Sequence, residues 1–440
     1  MRTVALDVHK HFAEVAILAP GQGIRRHRID TTPSGLRELA ERLRPDDQVV
    51  LESTFNTWAI AELLRAQAGK VVVSNPMRTK AIASAKVKTD KVDAAILAQL
   101  MAADFIPEVW VPDPLTRRLR RQVSHRRGLV QQQTRLRNRV HGVLLRNLVE
   151  CPYSDVFGKG GRQWLAELAL PAEERQQVDS ALRLLAGVET ELEEVDRTLA
   201  EDVVVDRRVR HLLSIPGVGL MSALALVAVV GDISRFPRPN QLVGYLGLDP
   251  RVRQSGDRPA YTGSISRQGQ AHARGLLIEA AHASVRVPGP LHAFYERIRS
   301  RRGKQIAYVA VARKLAVLTW HLLTKGVDYQ WSRQTLTASK LRQLELQAGQ
   351  PKRYRSRAGS GPPLDQVRAQ EQQVLRQAEE AYRTMVAARR ERADAAASHE
   401  ERLMGSRPDA RRRSHPLPPL FSTRADRAQP EHRTGQHGRG

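Results

Sequence analysis

Lys88–Leu100 reads KTDKVDAAILAQL, and the placement of its two acids decides how the chain is read. Asp90 and Asp93 stand three apart, within an apolar pattern at helical spacing: Ala94, Ala95, Leu97, Ala98 and Leu100. On a helix, positions three apart share a face, with Cβ atoms ~5–6 Å apart. Two carboxylates that close repel unless positive charge lies between them. A divalent ion supplies it, and magnesium prefers carboxylate oxygens. The plainer alternative is a helix cap followed by a first-turn acid, since Asp favours helix starts. Acids upstream tip the balance toward a metal.

Arg2–Val8 (RTVALDV) predicts a strand, with Val4, Leu6 and Val8 alternating against Ala5 and Asp7. An acid inside such a run is costly unless paired or metal-bound. Residues 13–18 and 24–29 predict two more strands around a turn at Gly21–Gly23, and 33–43 a helix carrying Leu36, Leu39 and Leu43. Gln48–Leu51 is a short apolar strand ending at Glu52; 57–68 reads as a helix and Lys70–Ser74 as a strand. The order β-β-β-α-β-α-β-α predicts an α/β layered domain that opens with antiparallel strands. Asp7, Glu52, Asp90 and Asp93 then converge on one edge of its sheet. Two magnesium ions about 3.5–4 Å apart suit such a cluster and support in-line phosphoryl displacement.

Asp7-Val8-His9-Lys10, Leu51-Glu52-Ser53-Thr54 with Trp58, and Lys88-Thr89-Asp90-Lys91-Val92-Asp93-Ala94 together resemble the RuvC-like DEDD domain of an insertion-sequence transposase family related to Piv-type DNA invertases. The resemblance implies an RNase H/RuvC-like fold and a metal tetrad of Asp7, Glu52, Asp90 and Asp93. Where that family usually has glycines after the Glu, this chain has Phe55, Asn56 and Thr57.

Composition bounds the rest. The 440 residues imply more than one domain. Lys and Arg number 71 against 46 Asp and Glu, a net +25, which points to an acidic polymer, most simply nucleic acid. Cys151 is the only cysteine, so an intrachain disulfide and a cysteine zinc site are excluded, in keeping with a cytoplasmic protein. The start, MRTVALDVHK, lacks the pattern of a secretory signal. The longest apolar run, Leu220–Val230, falls short of the ~20 residues that span a bilayer. A soluble protein with no membrane partner is expected.

Prolines bracket 107–114, a domain edge. Leu115–Leu148 is long and proline-free, with Leu119, Val123, Leu129, Leu136, Val140 and Leu144 near heptad spacing. Arg117, Arg118, Arg120, Arg121, Arg126, Arg127, Arg135, Arg137 and Arg139 decorate it. Such a run without acids favours phosphate contact over a merely solvated face, with Arg117, Arg120, Arg121 and Arg127 as candidates. The arm 181–199 is acidic, so the two predict either an antiparallel hairpin of helices or a subunit contact. Next, LLSIPGVG at 212–219 followed by an apolar run is a helix–hairpin–helix signature. Gly217 and Gly219 would let backbone N–H groups approach a phosphate, although a tight turn with no ligand reads the same.

Tyr245–Arg274 (YLGLDPRVRQSGDRPAYTGSISRQGQAHAR) is dense in Gly, Ser and Arg. A nucleophilic serine wants an exposed turn with cationic groups to hold the phosphate. Ser255, Ser264 and Ser266 all qualify on that ground. The stretch resembles the second domain of the same transposase family in its G-L-x-P, S-G and G-x-I-S-[KR]-x-G elements. That resemblance maps the nucleophile to Ser255 and offers Arg251, Arg253, Arg267 and Arg274 as phosphate holders. Residues 276–284 and 303–323 read as helices. Beyond them, 350–440 is poor in large apolar residues, so only 379–403 is expected to be helical and the rest disordered. Arg411-Arg412-Arg413 there suits nonspecific nucleic-acid contact.

The expected organisation is a RuvC-like DEDD domain (1–112), coiled-coil arms (113–205), a mainly α C-terminal domain with helix–hairpin–helix and serine (206–347), and a basic, mostly disordered tail (348–440). The resemblance implies a magnesium-dependent DNA transposase or recombinase working through a serine–DNA intermediate. It further implies donor and target DNA, a noncoding bridge RNA and a homo-oligomer, dimer or tetramer, as partners. A metal-dependent junction-resolving nuclease with a structural Ser255, and an inactive nucleic-acid-binding relic, are the competing readings.

Overall fold

A computed structural model describes residues 1–83, 89–256, 260–352 and 362–405, with side chains as far as 396. Lys88 and the arginine run at 411–413 lie outside the described residues.

The N-terminal layer comprises β1 (Thr3–Val8), β2 (Phe12–Leu18), β3 (Arg25–Asp30), α1 (Pro33–Glu41), β4 (Gln48–Glu52), α2 (Thr57–Arg65), β5 (Lys70–Ser74), α3 (Pro76–Ile82) and α4 (Asp90–Ala102). Its five-stranded sheet runs β3-β2-β1-β4-β5. β1 and β2, and β2 and β3, are antiparallel, while β4 and β5 join β1 in parallel. This is the mixed α/β sheet expected, in an RNase H-like order. Strand alternation sorts β1 between two cores. Val4, Leu6 and Val8 pack with Leu36, Ile60 and Leu64 of α1 and α2. Ala5 packs with Val50, Val72 and the Ala94, Leu97, Ala98 and Met101 face of α4. Two buried acids are paired: Asp47 takes Arg2 Nε at 2.9 Å, and Glu14 takes Arg28 Nε at 2.7 Å. Helix α3 was not expected. Its signal was local, for Asn75 Oδ1 accepts from the N–H groups of Met77 and Arg78, and Pro76 takes the first turn.

The segment after α4 adds to the sheet edge, Val109 N–H donating to Val73 O at 2.7 Å. There follow α5 (Pro114–Arg146), α6 (Lys159–Glu167) and α7 (Ala172–Val203). The ion pairs Arg118–Asp202, Arg126–Asp196, Arg137–Glu189 and Arg146–Glu174 fall on α7 as they rise on α5. The two arms are therefore an antiparallel hairpin within one chain.

Helices α8 (Arg207–Leu213), α9 (Leu220–Val230) and α10 (Pro239–Tyr245) lead to a two-stranded hairpin, β6 (Pro250–Arg253) and β7 (Tyr261–Ile265). Then come α11 (Ala271–Ser284), α12 (Pro290–Arg302), α13 (Lys304–Lys325), α14 (Gln334–Gln347) and α15 (Leu364–Gly405). One core holds most of them, with α9 and α13 at its centre. By length and composition α13 could cross a bilayer. Here it buries Ala307, Val311, Ala312, Leu315, Ala316, Thr319 and Leu322 inside the protein.

The tail departs from expectation, since 364–405 is one helix and not disordered chain. Leu375 and Ala378 are buried. Glu371 accepts from Thr335 N–H (2.8 Å) and Oγ1 (2.6 Å), and Glu379 from Gly289 N–H (2.9 Å). These four residues share one helix face. Two apolar side chains are too few for a sequence pattern; two carboxylates aimed at backbone donors complete the dock.

Candidate metal centre and serine hairpin

Parallel register sets Leu6 beside Leu51, so Asp7 and Glu52 follow abreast at the C-terminal ends of β1 and β4. Ala5 and Val50 face α4, and period-two alternation gives Asp7 and Glu52 the same face. Across it lies the N-terminus of α4. Thr89 Oγ1 accepts from Val92 N–H (3.4 Å), which makes Thr89 the cap and leaves Asp90 and Asp93 in the first turn. Asp90 is thereby turned to the strand edge. Asp7, His9 and Asp90 offer ligand atoms all within 4.8 Å of one another. His9 Nε2 stands 3.3 Å from Asp7 Oδ2 and 3.3 Å from Asp90 Oδ2.

Burial raises the Asp7 carboxyl above its ordinary value; His9 opposes this, and the charges of Asp90 and Asp93 push it up further. His9 Nε2 is buried without a hydrogen-bond partner. Crowded carboxylates beside an imidazole nitrogen are a donor set for a divalent ion. The geometry brings Asp7, Asp90 and the field of Asp93 together, with Glu52 entering through strand register. His9 was missed as a site residue, although its position two after Asp7 could have flagged it.

The turn after Glu52 is tightly held despite its lack of glycine. Thr54 N–H donates to Thr57 Oγ1 (2.5 Å), Thr54 Oγ1 to Asn56 Oδ1 (2.9 Å), and Thr57 Oγ1 reaches Thr54 O (3.0 Å) and Glu52 O (3.3 Å). Phe55 is left fully exposed at its crest.

The basic arm is mostly committed to protein. Arg117 pairs with Glu62. Arg120 donates from Nε to Ala228 O (2.7 Å) and from Nη2 to Val229 O (2.9 Å), satisfying carbonyls at the end of α9. It clamps the end of α9 and is part-buried there. Arg121, Arg127, Arg135 and Arg139 remain exposed.

Gly217 has a packing role, in keeping with the tight-turn alternative. It has φ +83°, and a Cβ there would lie 2.5 Å from Ala280 O, Ser284 N and Ser284 Oγ. It is a packing glycine, required where the turn meets α11. Gly219, by contrast, has open space around it and begins α9 without a side-chain cap.

Ser255 is exposed just past β6. Ser266 donates to Asp249 Oδ1 (2.6 Å) and its N–H to Asp249 O (2.8 Å), closing the hairpin base. Arg251 Nη2 donates to Ser266 O (3.2 Å) and Arg274 Nη1 to Leu246 O (3.1 Å), so these two brace the hairpin. Arg253 and Arg267 are exposed beside it.

Comparison with known proteins bears on both parts. A family model described as Transposase IS116/IS110/IS902 family matches residues 209–296, and a DEDD model of the IS110 type, described as Transposase, matches 4–147. Between them they take in more than half of the chain. The transposase for insertion sequence element IS1111A of Coxiella burnetii is 29% identical over 256 residues, 55% of this chain and 68% of that protein. A protein of Pseudomonas aeruginosa named probable family 20 transposase is 29% identical over 349 residues, 74% of this chain and 98% of its own length. The pilin gene-inverting protein of Moraxella lacunata is 26% identical over 289 residues, 63% of this chain and 80% of it.

Proposed function

Because the chain belongs to the IS116/IS110/IS902 family of transposases, we propose that it cuts and rejoins DNA through a covalent link to Ser255, assisted by magnesium on Asp7, Glu52, Asp90 and Asp93. The observation that carries this reading is the junction of Asp7, His9 and Asp90 at the sheet edge. A bound divalent ion would polarise the scissile phosphate. Its carboxylate ligands would come from two strand ends and one helix turn, which would hold them in place before substrate arrives.

At the hairpin, Ser255 Oγ gives up its proton to solvent as it attacks phosphorus, the bond to the bridging sugar oxygen breaks, and that sugar leaves as a hydroxyl with a proton taken from solvent. The phosphate passes onto serine without hydrolysis. A sugar hydroxyl of the second DNA then attacks and serine leaves, so the phosphodiester count is preserved. Exposed Arg253 and Arg267 hold the phosphate oxygens, and Arg251 and Arg274 keep the hairpin in place. The exposed Arg121 and Arg127 give α5 a face for nucleic-acid backbone. Resemblance to the family supports a bridge RNA there, held by shape and phosphate, and a homo-oligomer that brings hairpin and acids to one DNA.

The test is a denaturing-gel assay for a protein–DNA adduct, using full-length protein, the RNA encoded beside its gene, donor and target DNA, and magnesium. Wild type is expected to form the adduct, and Ser255→Ala and Asp90→Ala to lose it. Ser266→Ala, a control for a braced serine, retains it. Metal-dependent cutting that survives Ser255→Ala would replace this reading with a hydrolytic nuclease.

A further inference from the structure

Lys340, on α14, reaches into the turn between α8 and α9. Its Nζ donates to Leu213 O (2.9 Å), Ile215 O (3.2 Å) and Val218 O (2.7 Å). An ammonium has three donors and no acceptor, and all three are used on neutral backbone oxygens. Those oxygens belong to buried residues at a helix end and its following turn, where carbonyls lack helical partners. The rest of the turn is tied as closely. Ser214 Oγ donates to His211 O (2.6 Å) and accepts from Tyr329 N–H (2.8 Å), while Ser284 Oγ donates to Pro216 O (2.5 Å).

A lysine is an expensive filler for this place. Burial pushes its ammonium down to about 8, and an apolar side chain would pack without that cost. What an apolar side chain cannot do is satisfy three converging carbonyl dipoles. Converging backbone carbonyls that replace a hydration shell are how a monovalent cation is bound. We propose that the Leu213, Ile215 and Val218 carbonyls form a monovalent-cation site, that Lys340 fills it as a tethered ion, and that this occupancy sets the 214–219 turn. The site lies 122–127 residues from Lys340 along the chain and makes α14 part of the hairpin's architecture. Its consequence for DNA rests on the reading of Gly219 and the α9 N-terminus as a phosphate surface.

The experiment uses full-length wild type, Lys340→Ala and Lys340→Met in potassium chloride or tetramethylammonium chloride at equal ionic strength. Thermal unfolding and duplex DNA binding are both measured. Wild type should show one Tm in both salts. Lys340→Ala opens the site; its Tm should fall in tetramethylammonium and recover most of the loss in potassium. Lys340→Met loses the charge but blocks the space, so neither salt should restore it. Equal behaviour of Lys340→Ala in the two salts, folded or unfolded, overturns the proposal, as does potassium rescue of Lys340→Met. DNA affinity of Lys340→Ala should drop on the order of tenfold in tetramethylammonium, about the worth of a lost charged hydrogen bond, and return in potassium. If the Tm is rescued by potassium while DNA affinity never changes, the cation site stands and the phosphate reading of the hairpin falls.

Discussion

Replacing Gly217 by alanine separates a packing glycine from a phosphate-binding one. Its φ of +83° and the three atoms 2.5 Å from an added Cβ set the expected cost. Left-handed backbone at a residue with Cβ costs about 1–2 kcal/mol. Two of the three atoms are α11 backbone, at Ala280 and Ser284, and cannot rotate away. Overpacking of that kind costs about 1–3 kcal/mol. The sum is about 2–5 kcal/mol, a large fraction of the ~5–15 kcal/mol that holds a domain. Gly219→Ala is the control. Its φ of −92° and ψ of 176° are open to any residue, and nothing lies near the new Cβ, so it should shift stability by less than about 1 kcal/mol. Urea unfolding followed by tryptophan fluorescence reports on this core, since Trp320 Nε1 is bonded to Phe236 O within it. A Gly217→Ala protein as stable as Gly219→Ala would refute the packing argument. If that stable protein had also lost DNA binding, Gly217 would be a phosphate contact after all.

Four further outcomes follow from the geometry. Asp7 has a raised pKa in the fold, so its contribution to stability is present in full below the ordinary Asp value and lost as pH rises through the folded value. Asp7→Asn should therefore raise the Tm of the metal-free protein at neutral pH while abolishing cleavage. Magnesium should raise the Tm of wild type but not of this variant, and identical curves would count against the metal site. Arg120→Met should destabilise by about 1–3 kcal/mol, because it leaves the Ala228 and Val229 carbonyls unsatisfied. Arg127→Ala should leave stability unchanged and lower the salt dependence of nucleic-acid binding by roughly one unit of slope, read from a salt titration. Truncation after residue 362 should lower the Tm, because it bares the site that Leu375, Ala378, Glu371 and Glu379 cover. An unchanged melt would show that α15 contributes no stability to this region.

What was legible in the sequence was local. Val4, Leu6 and Val8 could be read as one strand face from alternation alone, and Asp7 as the misfit on the other. The sheet and α4 came from the same apolar periods, and Asp7 and Asp90 meet, with the charge of Asp93 reaching Asp7, because strand ends and a helix start are near-rigid local objects. The long arms were legible as helices of opposite charge, but that they pair within one chain was left open and was decided by the fold. Three more things depended on tertiary structure. Arg120 could be counted as a cation but not recognised as a clamp until α9 brought its carbonyls alongside. Gly217 carried the same turn signature whether its empty side met a phosphate or Ser284. Lys340 and the tail glutamates had no pattern to announce them. Periodicity reports only which face of an element is buried. Whether a polar group on that face meets water, nucleic acid or a backbone carbonyl is decided by a partner many residues away, and chain folding alone supplies that partner.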